Sequence, residues 1–369
     1  MIPFVDLASA YTELKSEIDA ATGRVMASGR YIGGGEVARF EEAWAGYCGA
    51  DYCVGVANGF DALQLALRAM DVGRGDEVIL ASNSYIATVL AVTAVDATPV
   101  FVEPDPTTFN LDPALIEEAI TERTRVLLPT HLYGQPADLD AMLEIAERHG
   151  LLLLEDAAQA HGASYRGKRI GSHGHAVAWS FYPTKNLGAL GDAGALTTND
   201  PEIARRVRLM GNYGSAQRYV AEVRGVNSRL DPLQAAILEV KLQYLDQWNL
   251  RREAIATLYS TRLAGCGLKL PSVPEWADPA WHLYVVQSPD RDGLADRLAA
   301  EGVQTLVHYP TPPHLQQAYS DLDFRKGSFP TAEHLADTAL SLPIGPHLSL
   351  DQAGHVAAAV RSLYGLGHD

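Results

Sequence analysis

Between Cys53 and Met210 the chain alternates short, predominantly apolar runs with stretches of helical periodicity. The runs are Val54-Gly55-Val56-Ala57, Val78-Ile79-Leu80, Val100-Phe101-Val102, Val126-Leu127-Leu128, Leu151 to Leu154, and Ala176-Val177-Ala178-Trp179-Ser180-Phe181. A run with no polar face suits a strand covered on both sides, and helices between successive strands let those strands run parallel. The pattern therefore predicts an α/β fold with a mostly parallel central sheet flanked by helices. In such sheets, ligands collect beyond the carboxyl ends of the strands.

Outside this region the pattern changes. A helix is expected around Tyr11 to Met26, and Pro232 to about Leu263 reads as one long helical stretch. Strand candidates follow at His282 to Gln287 and Val303 to His308, with a helical pattern around Gly293 to Glu301 between them. A chain of 369 residues suggests about two domains. The expected division is a large α/β domain over 1–247 and a smaller α+β C-terminal domain over 248–369.

Composition narrows the class of function. A net charge of −16 disfavours nonspecific nucleic-acid binding. Cys48, Cys53 and Cys266 have neither paired zinc spacing nor a secreted disulfide pattern. No basic region followed by an apolar core opens the chain, and no apolar run approaches a membrane span. A cytoplasmic enzyme without a metal or a membrane partner is the expectation.

Two residues suggest the chemistry. Asp156, in Glu155-Asp156-Ala157-Ala158-Gln159-Ala160-His161-Gly162, falls at the carboxyl end of one expected strand. Lys185, in Ser180-Phe181-Tyr182-Pro183-Thr184-Lys185-Asn186-Leu187-Gly188, lies in the loop after the next. Pyridoxal phosphate (PLP) needs an amine to attach to and a carboxylate to keep its ring nitrogen protonated. Alone, such a lysine is usually solvated and such an aspartate structural; it is their order and surroundings that point to the cofactor. The turn Asn58-Gly59-Phe60-Asp61, between a strand and a helix starting near Phe60, offers backbone N–H groups to a phosphate. An ordinary junction capped by Asn58 or Asp61 has the same appearance. The Ser180 hydroxyl is a second candidate phosphate donor.

With these motifs go Pro3-Phe4-Val5-Asp6-Leu7, Ser28-Gly29-Arg30-Tyr31-Ile32-Gly33-Gly34, Gly191-Asp192-Ala193-Gly194, Asn212-Tyr213-Gly214-Ser215, Gly225 to Asp231, His308-Tyr309-Pro310 and Leu342-Pro343-Ile344-Gly345. The ordered set resembles the DegT/StrS-type nucleotide-sugar aminotransferases, over nearly the whole chain. The resemblance implies a fold-type I PLP-dependent transferase, aspartate aminotransferase-like. It implies Lys185 as the cofactor-bearing lysine and proton shuttle, Asp156 on the pyridine nitrogen, and Gln159 on the ring hydroxyl. Tyr85 would stack on the ring, Gly59, Phe60 and Ser180 would hold the phosphate, and Asn227 would reach the cofactor phosphate of a neighbouring subunit in a homodimer. Tyr31, Tyr182, Tyr219, His308 and Tyr309 would border the sugar nucleotide.

Phe60 stands where many relatives carry a small polar residue, so that position offers only its N–H. Ala193 replaces a frequent glycine. Lys185 is intact, unlike in the relatives with histidine there that act as dehydratases. The stretches His131 to Asp138 and His308 to His314 are most similar to members that aminate carbon 3 of a dTDP-linked 3-keto-6-deoxyhexose, with L-glutamate as the expected donor. Amination at carbon 4 of a 4-keto sugar is the alternative. A noncatalytic PLP-binding regulator is the alternative of a different class; the chain has no DNA-binding extension.

Three further signals have ordinary readings. Gly73-Arg74-Gly75-Asp76 precedes a strand, so it is a turn rather than a dinucleotide or adhesion motif. His173 and His175 have no partner at metal-ligand spacing and read as a solvated loop. His131 reads as a hydrogen-bonded core histidine.

Overall fold

The computed structural model describes residues 1–364. Its centre is a seven-stranded sheet built from β1 (Tyr52–Val56), β2 (Glu77–Ala81), β3 (Thr98–Val102), β4 (Thr124–Leu128), β5 (Leu152–Asp156), β6 (Ala176–Ser180) and β7 (Gly194–Thr198). The spatial order is β1-β7-β6-β5-β4-β2-β3. Pairings from β6 through β5, β4 and β2 to β3 are parallel. β7 runs antiparallel to both of its neighbours.

The period of two explains why these runs are apolar throughout. Leu127, Leu153, Val177 and Trp179 enter one apolar cluster with Phe40 and Trp44. Val126, Leu128, Leu154 and Ala178 enter the opposite cluster with Leu63 and Leu67. Both faces are buried, so neither can carry polar side chains without a partner. At about 25 cal/mol per Å² of apolar surface, this two-sided burial is the main force holding the sheet.

Several elements differ from the sequence reading. The N-terminal helix is two, α1 (Leu7–Glu13) and α2 (Lys15–Ser28), because Leu14 leaves helical geometry between them. The long stretch after Pro232 is likewise two helices, Pro232–Leu242 and Leu245–Arg262. Tyr284–Gln287 is a strand as expected, but its partner is Ala339–Leu342. Val303 to His308 does not form a continuous strand. Val303 makes one bridge to Ile2 and Leu306 another to Ser341, so the segment touches two different neighbours at single points instead of following one edge. A third apolar cluster gathers Tyr259, Tyr284, Leu294, Leu342 and Val356, with Ile2 from the start of the chain.

No helix among the described residues is long and apolar enough to cross a membrane. His173 and His175 belong to no metal-ligating cluster among the described residues. Instead His175 Nδ1 accepts from Leu153 N at 3.0 Å, so this loop is tied to β5 rather than simply solvated. His131 is fully buried, with Nε2 2.9 Å from Glu155 Oε2 and Nδ1 accepting from Ala137 N.

Candidate active site

β5 and β6 are adjacent and parallel, with Asp156 opposite Ala178. Their carboxyl ends therefore open on the same side, and a cavity of about 520 Å³ lies there. Asp156 and Lys185 both line it, as do Gly59, Phe60, Tyr85, Gln159, Ser180, Tyr182, His308 and Tyr309. The volume suits a cofactor together with part of a substrate.

Each group is held by identifiable neighbours. Asp156 is 6% exposed. Its Oδ2 accepts from Thr88 Oγ1 at 2.7 Å and its Oδ1 from Ala158 N at 3.1 Å. Thr88 lies in the first turns of α4 (Ile86–Thr93), directly after Tyr85, so one helix start positions both Tyr85 and the carboxylate's anchor.

Lys185 sits in a tight loop. Its N–H donates to Tyr182 O, and a Cβ on Gly188 would meet Pro183 O at 2.3 Å. The next residue, Asn186, is buried and donates to Ala280 O and Asn249 Oδ1, which anchors the loop from behind. Burial lowers the Lys185 amine from 10.5 to about 8, against the smaller opposing pull of the Asp156 charge. A larger share of the amine is thus neutral, and able to take a proton, than in a solvated lysine.

α3 (Gly59–Ala69) points its N-terminus at the cavity. Asn58 caps it by accepting from Asp61 N at 2.8 Å. Gly59 and Phe60, at its first turn, have no intrahelical acceptor for their N–H groups. A Cβ on Gly59 would lie 2.6 Å from Ser180 Cβ, and one on Gly194 would lie 2.3 Å from Asn58 C. The two glycines let β6, β7 and the helix start close up, bringing the Ser180 hydroxyl beside the free amides. This is a cradle for an anion. Thr130 Oγ1, buried in the cavity wall, has no hydrogen-bond partner. An amine, a facing carboxylate and an anion cradle around one cavity fit PLP.

On the opposite wall, Gln159 is held at both ends: its Oε1 accepts from Tyr133 N at 2.6 Å and its Nε2 donates to Tyr309 OH at 3.0 Å. Tyr133 OH donates to His308 O. Tyr85 and Tyr309 rings stand 4.9 Å apart. His308 accepts or donates at Ser341 Oγ, 2.8 Å away, and burial, then the Lys185 charge, lowers it to about 4. His308 is therefore neutral at physiological pH, and so is His282, which burial lowers well below its usual value.

Three residues expected at the site are not in this cavity. Tyr31 is exposed, with its hydroxyl on Met26 O. Tyr219 is 88% exposed. Asn227 is exposed and bridges Asn212. Conversely, sequence reasoning gave no role to Thr88, Thr130, Tyr133, Asn186 or His282. Tyr133 and Asn186 carried a signal, because they sit within stretches already singled out, His131 to Asp138 and Ser180 to Gly188.

A family model described as the DegT/DnrJ/EryC1/StrS aminotransferase family matches residues 12–361. The chain belongs to that family. It is 57% identical, over 98% of its length and 99% of the relative's, to the erythromycin biosynthesis sensory transduction protein EryC1 of Saccharopolyspora erythraea. It is 55% identical, over 98% of this chain and 95% of the other, to dTDP-3-amino-3,4,6-trideoxy-alpha-D-glucose transaminase of Streptomyces venezuelae. It is 51% identical to dTDP-3-amino-3,6-dideoxy-alpha-D-galactopyranose transaminase of Aneurinibacillus thermoaerophilus, over 98% and 99% of the two chains. Among solved structures, S. venezuelae DesV in complex with a ketimine intermediate superposes with a TM-score of 0.97 at 55% identity, covering 98% of each chain. The Bacillus subtilis protein ntda with bound cofactor pmp superposes with a TM-score of 0.92 at 32% identity, covering 99% of this chain and 85% of that one. The fold is that of the fold-type I PLP-dependent transferases, and the family makes the chain an aminotransferase.

Proposed function

We propose that this aminotransferase uses PLP to move an amino group from L-glutamate to carbon 3 of a dTDP-linked 3-keto-6-deoxyhexose, giving a dTDP-3-amino-3,6-dideoxyhexose. One observation carries the reading. The Lys185 amine and the Asp156 carboxylate meet at one cavity in a chain more than half identical to two transaminases named for dTDP-3-amino sugars.

When bound, PLP supplies an electron-withdrawing ring that stabilises negative charge developing at the donor's alpha carbon. Asp156, held by Thr88 and the Ala158 amide, keeps the ring nitrogen protonated. Gly59, Phe60 and Ser180 take the phosphate, and Gln159 takes the ring hydroxyl. Tyr85 covers a ring face. Lys185 would take the proton from the donor's alpha carbon as general base and would serve as general acid and base again in the half-reaction with the sugar. Tyr182, His308 and Tyr309 border the sugar.

The exposure of Tyr31, Tyr219 and Asn227 outside the cavity of their own chain supports a homodimer in which these residues complete the neighbour's site. A soluble cytoplasmic setting agrees with this chemistry. Comparing turnover of 3-keto and 4-keto dTDP sugars with L-glutamate tests the reading. Amination of the 3-keto sugar at carbon 3 is expected, and turnover of the 4-keto sugar alone would replace the reading with carbon-4 chemistry. PLP binding without turnover of either sugar would point to a regulator.

A further inference from the structure

Behind the Lys185 loop lies a second cavity of about 280 Å³. Lys185, Asn186 and Gly188 form its wall toward the active site, while Leu7, Ala10 and Trp248 supply apolar surface. Three basic side chains also line it: Lys241, Arg252 and His347. Lys241 and Arg252 are 4% and 6% exposed.

These two cations have no carboxylate partner among the described residues. Lys241 Nζ donates to Gly188 O at 2.6 Å. Arg252 Nη1 donates to the carbonyls of Trp281, His282 and Ile344 at 3.1–3.3 Å. Arg252 Nε and His347 Nε2 are buried with no partner at all. Burial lowers the Lys241 amine to about 8 and the Arg252 guanidinium to about 10, with no anion acting on either. The one acidic residue on the wall, Asp6, is exposed and spends Oδ1 on the Ala8 and Ser9 amides at the start of α1.

Asp6 acts on His347 but on neither Lys241 nor Arg252; two buried cations left without a carboxylate of their own are costly, and an unpaired guanidinium N–H there adds to the cost. A guanidinium whose one Nη is occupied by carbonyls keeps its Nε and other Nη as a two-donor edge, which matches the two oxygens of a carboxylate. The apolar wall suits the carbon end of such a ligand better than a fully hydrated inorganic ion.

We propose that this cavity binds a small carboxylate, received by Arg252 and Lys241 with His347 at its side. The site lies across the Lys185 loop from the cofactor cavity, with Thr184 and Lys185 in both walls, and does not depend on the identity of the sugar. Because Lys241 also holds Gly188 O, the bound anion braces the loop that carries Lys185.

The test uses full-length protein loaded with PLP, which fills the phosphate cradle and removes it as a competing anion site. Acetate is titrated at constant ionic strength and followed by Tm, in the parent protein and in Lys241→Met. Crystals of the parent soaked in bromide are examined for anomalous scattering. The proposal expects a saturable rise in Tm, acetate affinity at least about tenfold weaker in Lys241→Met, and a bromide peak beside Arg252. An acetate effect equal in both proteins would overturn it. So would water alone in the cavity with no bromide peak, a measurement that holds even if Lys241→Met fails to fold.

Discussion

The depressed basicity of Lys185 makes a quantitative prediction. Its amine falls from 10.5 to about 8 because the protein excludes water from it. At pH 7 about one amine in ten is then neutral, against roughly one in three thousand for a solvated lysine. Capture of PLP by the apoprotein should therefore accelerate about tenfold per pH unit up to about 8 and level off above it. The same shift carries a stability cost. The folded value lies below the unfolded one, so between about 8 and 10.5 the unfolded chain holds more protons, and stability rises with pH across that window. At pH 7 the cost is about 2–3 kcal/mol, allowing for the partial opening of the side chain to the cavity. Apoprotein Lys185→Met should thus be more stable than the parent apoprotein below pH 8 by about that amount. By pH 10 the pH-dependent part of the gain should shrink to under about 1 kcal/mol. Urea unfolding of both apoproteins at pH 7 and pH 10 measures this directly. A pH-independent difference, or capture rates still climbing through pH 10, would refute the argument that burial sets this amine.

Other changes have expected outcomes of their own. Thr88→Val removes the 2.7 Å bond to Asp156, a hydrogen bond to a charge worth about 1.5–3 kcal/mol. Turnover should fall about tenfold to a hundredfold with KM for the sugar little changed, and steady-state kinetics checks it. Gly59→Ala puts a methyl 2.6 Å from Ser180 Cβ and spreads the anion cradle. The PLP dissociation constant should rise about fivefold to a hundredfold in a spectroscopic titration, since overpacking costs about 1–3 kcal/mol. His131→Leu strands the fully buried Glu155 and should lower stability by about 3 kcal/mol. In the folded fraction, kcat should stay near that of the parent, because the His131 side chain bonds only Glu155 and the Ala137 amide, neither of which lines the cavity, and its backbone bond to Asp156 O survives the substitution.

The fold was legible where burial leaves one solution. The runs at Val78, Val126 and Leu151 are covered on both faces, so they could hold only apolar residues, and they mark β2, β4 and β5. β7 escaped because Gly194-Ala195-Leu196-Thr197-Thr198 hides its polar atoms in bonds that only the fold supplies; Thr197 Oγ1, for example, takes Trp179 Nε1–H and donates to Gly171 O. Val303 to His308 misled because a strand-like pattern does not state how far a segment will follow one neighbour; only Val303 and Leu306 bridge, and to different partners. The site followed the same division. Asp156 and Lys185 were readable because adjacent strand ends must open together. His282 was not, because it reaches the cavity from a distant segment, and Tyr133 was not, because it acts only by holding Gln159 and His308. Tyr31, Tyr219 and Asn227 lie away from the cavity of their own chain, and no spacing in a single sequence states which copy a side chain serves.

The central claim is that Lys185 carries PLP in a working transaminase, and the absorbance spectrum of the purified protein before and after addition of L-glutamate tests it most directly. The account predicts a yellow band from the lysine-bound cofactor that fades to the colourless amine form with glutamate and is absent from Lys185→Ala. A protein that shows no such band even after PLP is supplied, or a Lys185→Ala variant that keeps both the band and its response, would contradict it.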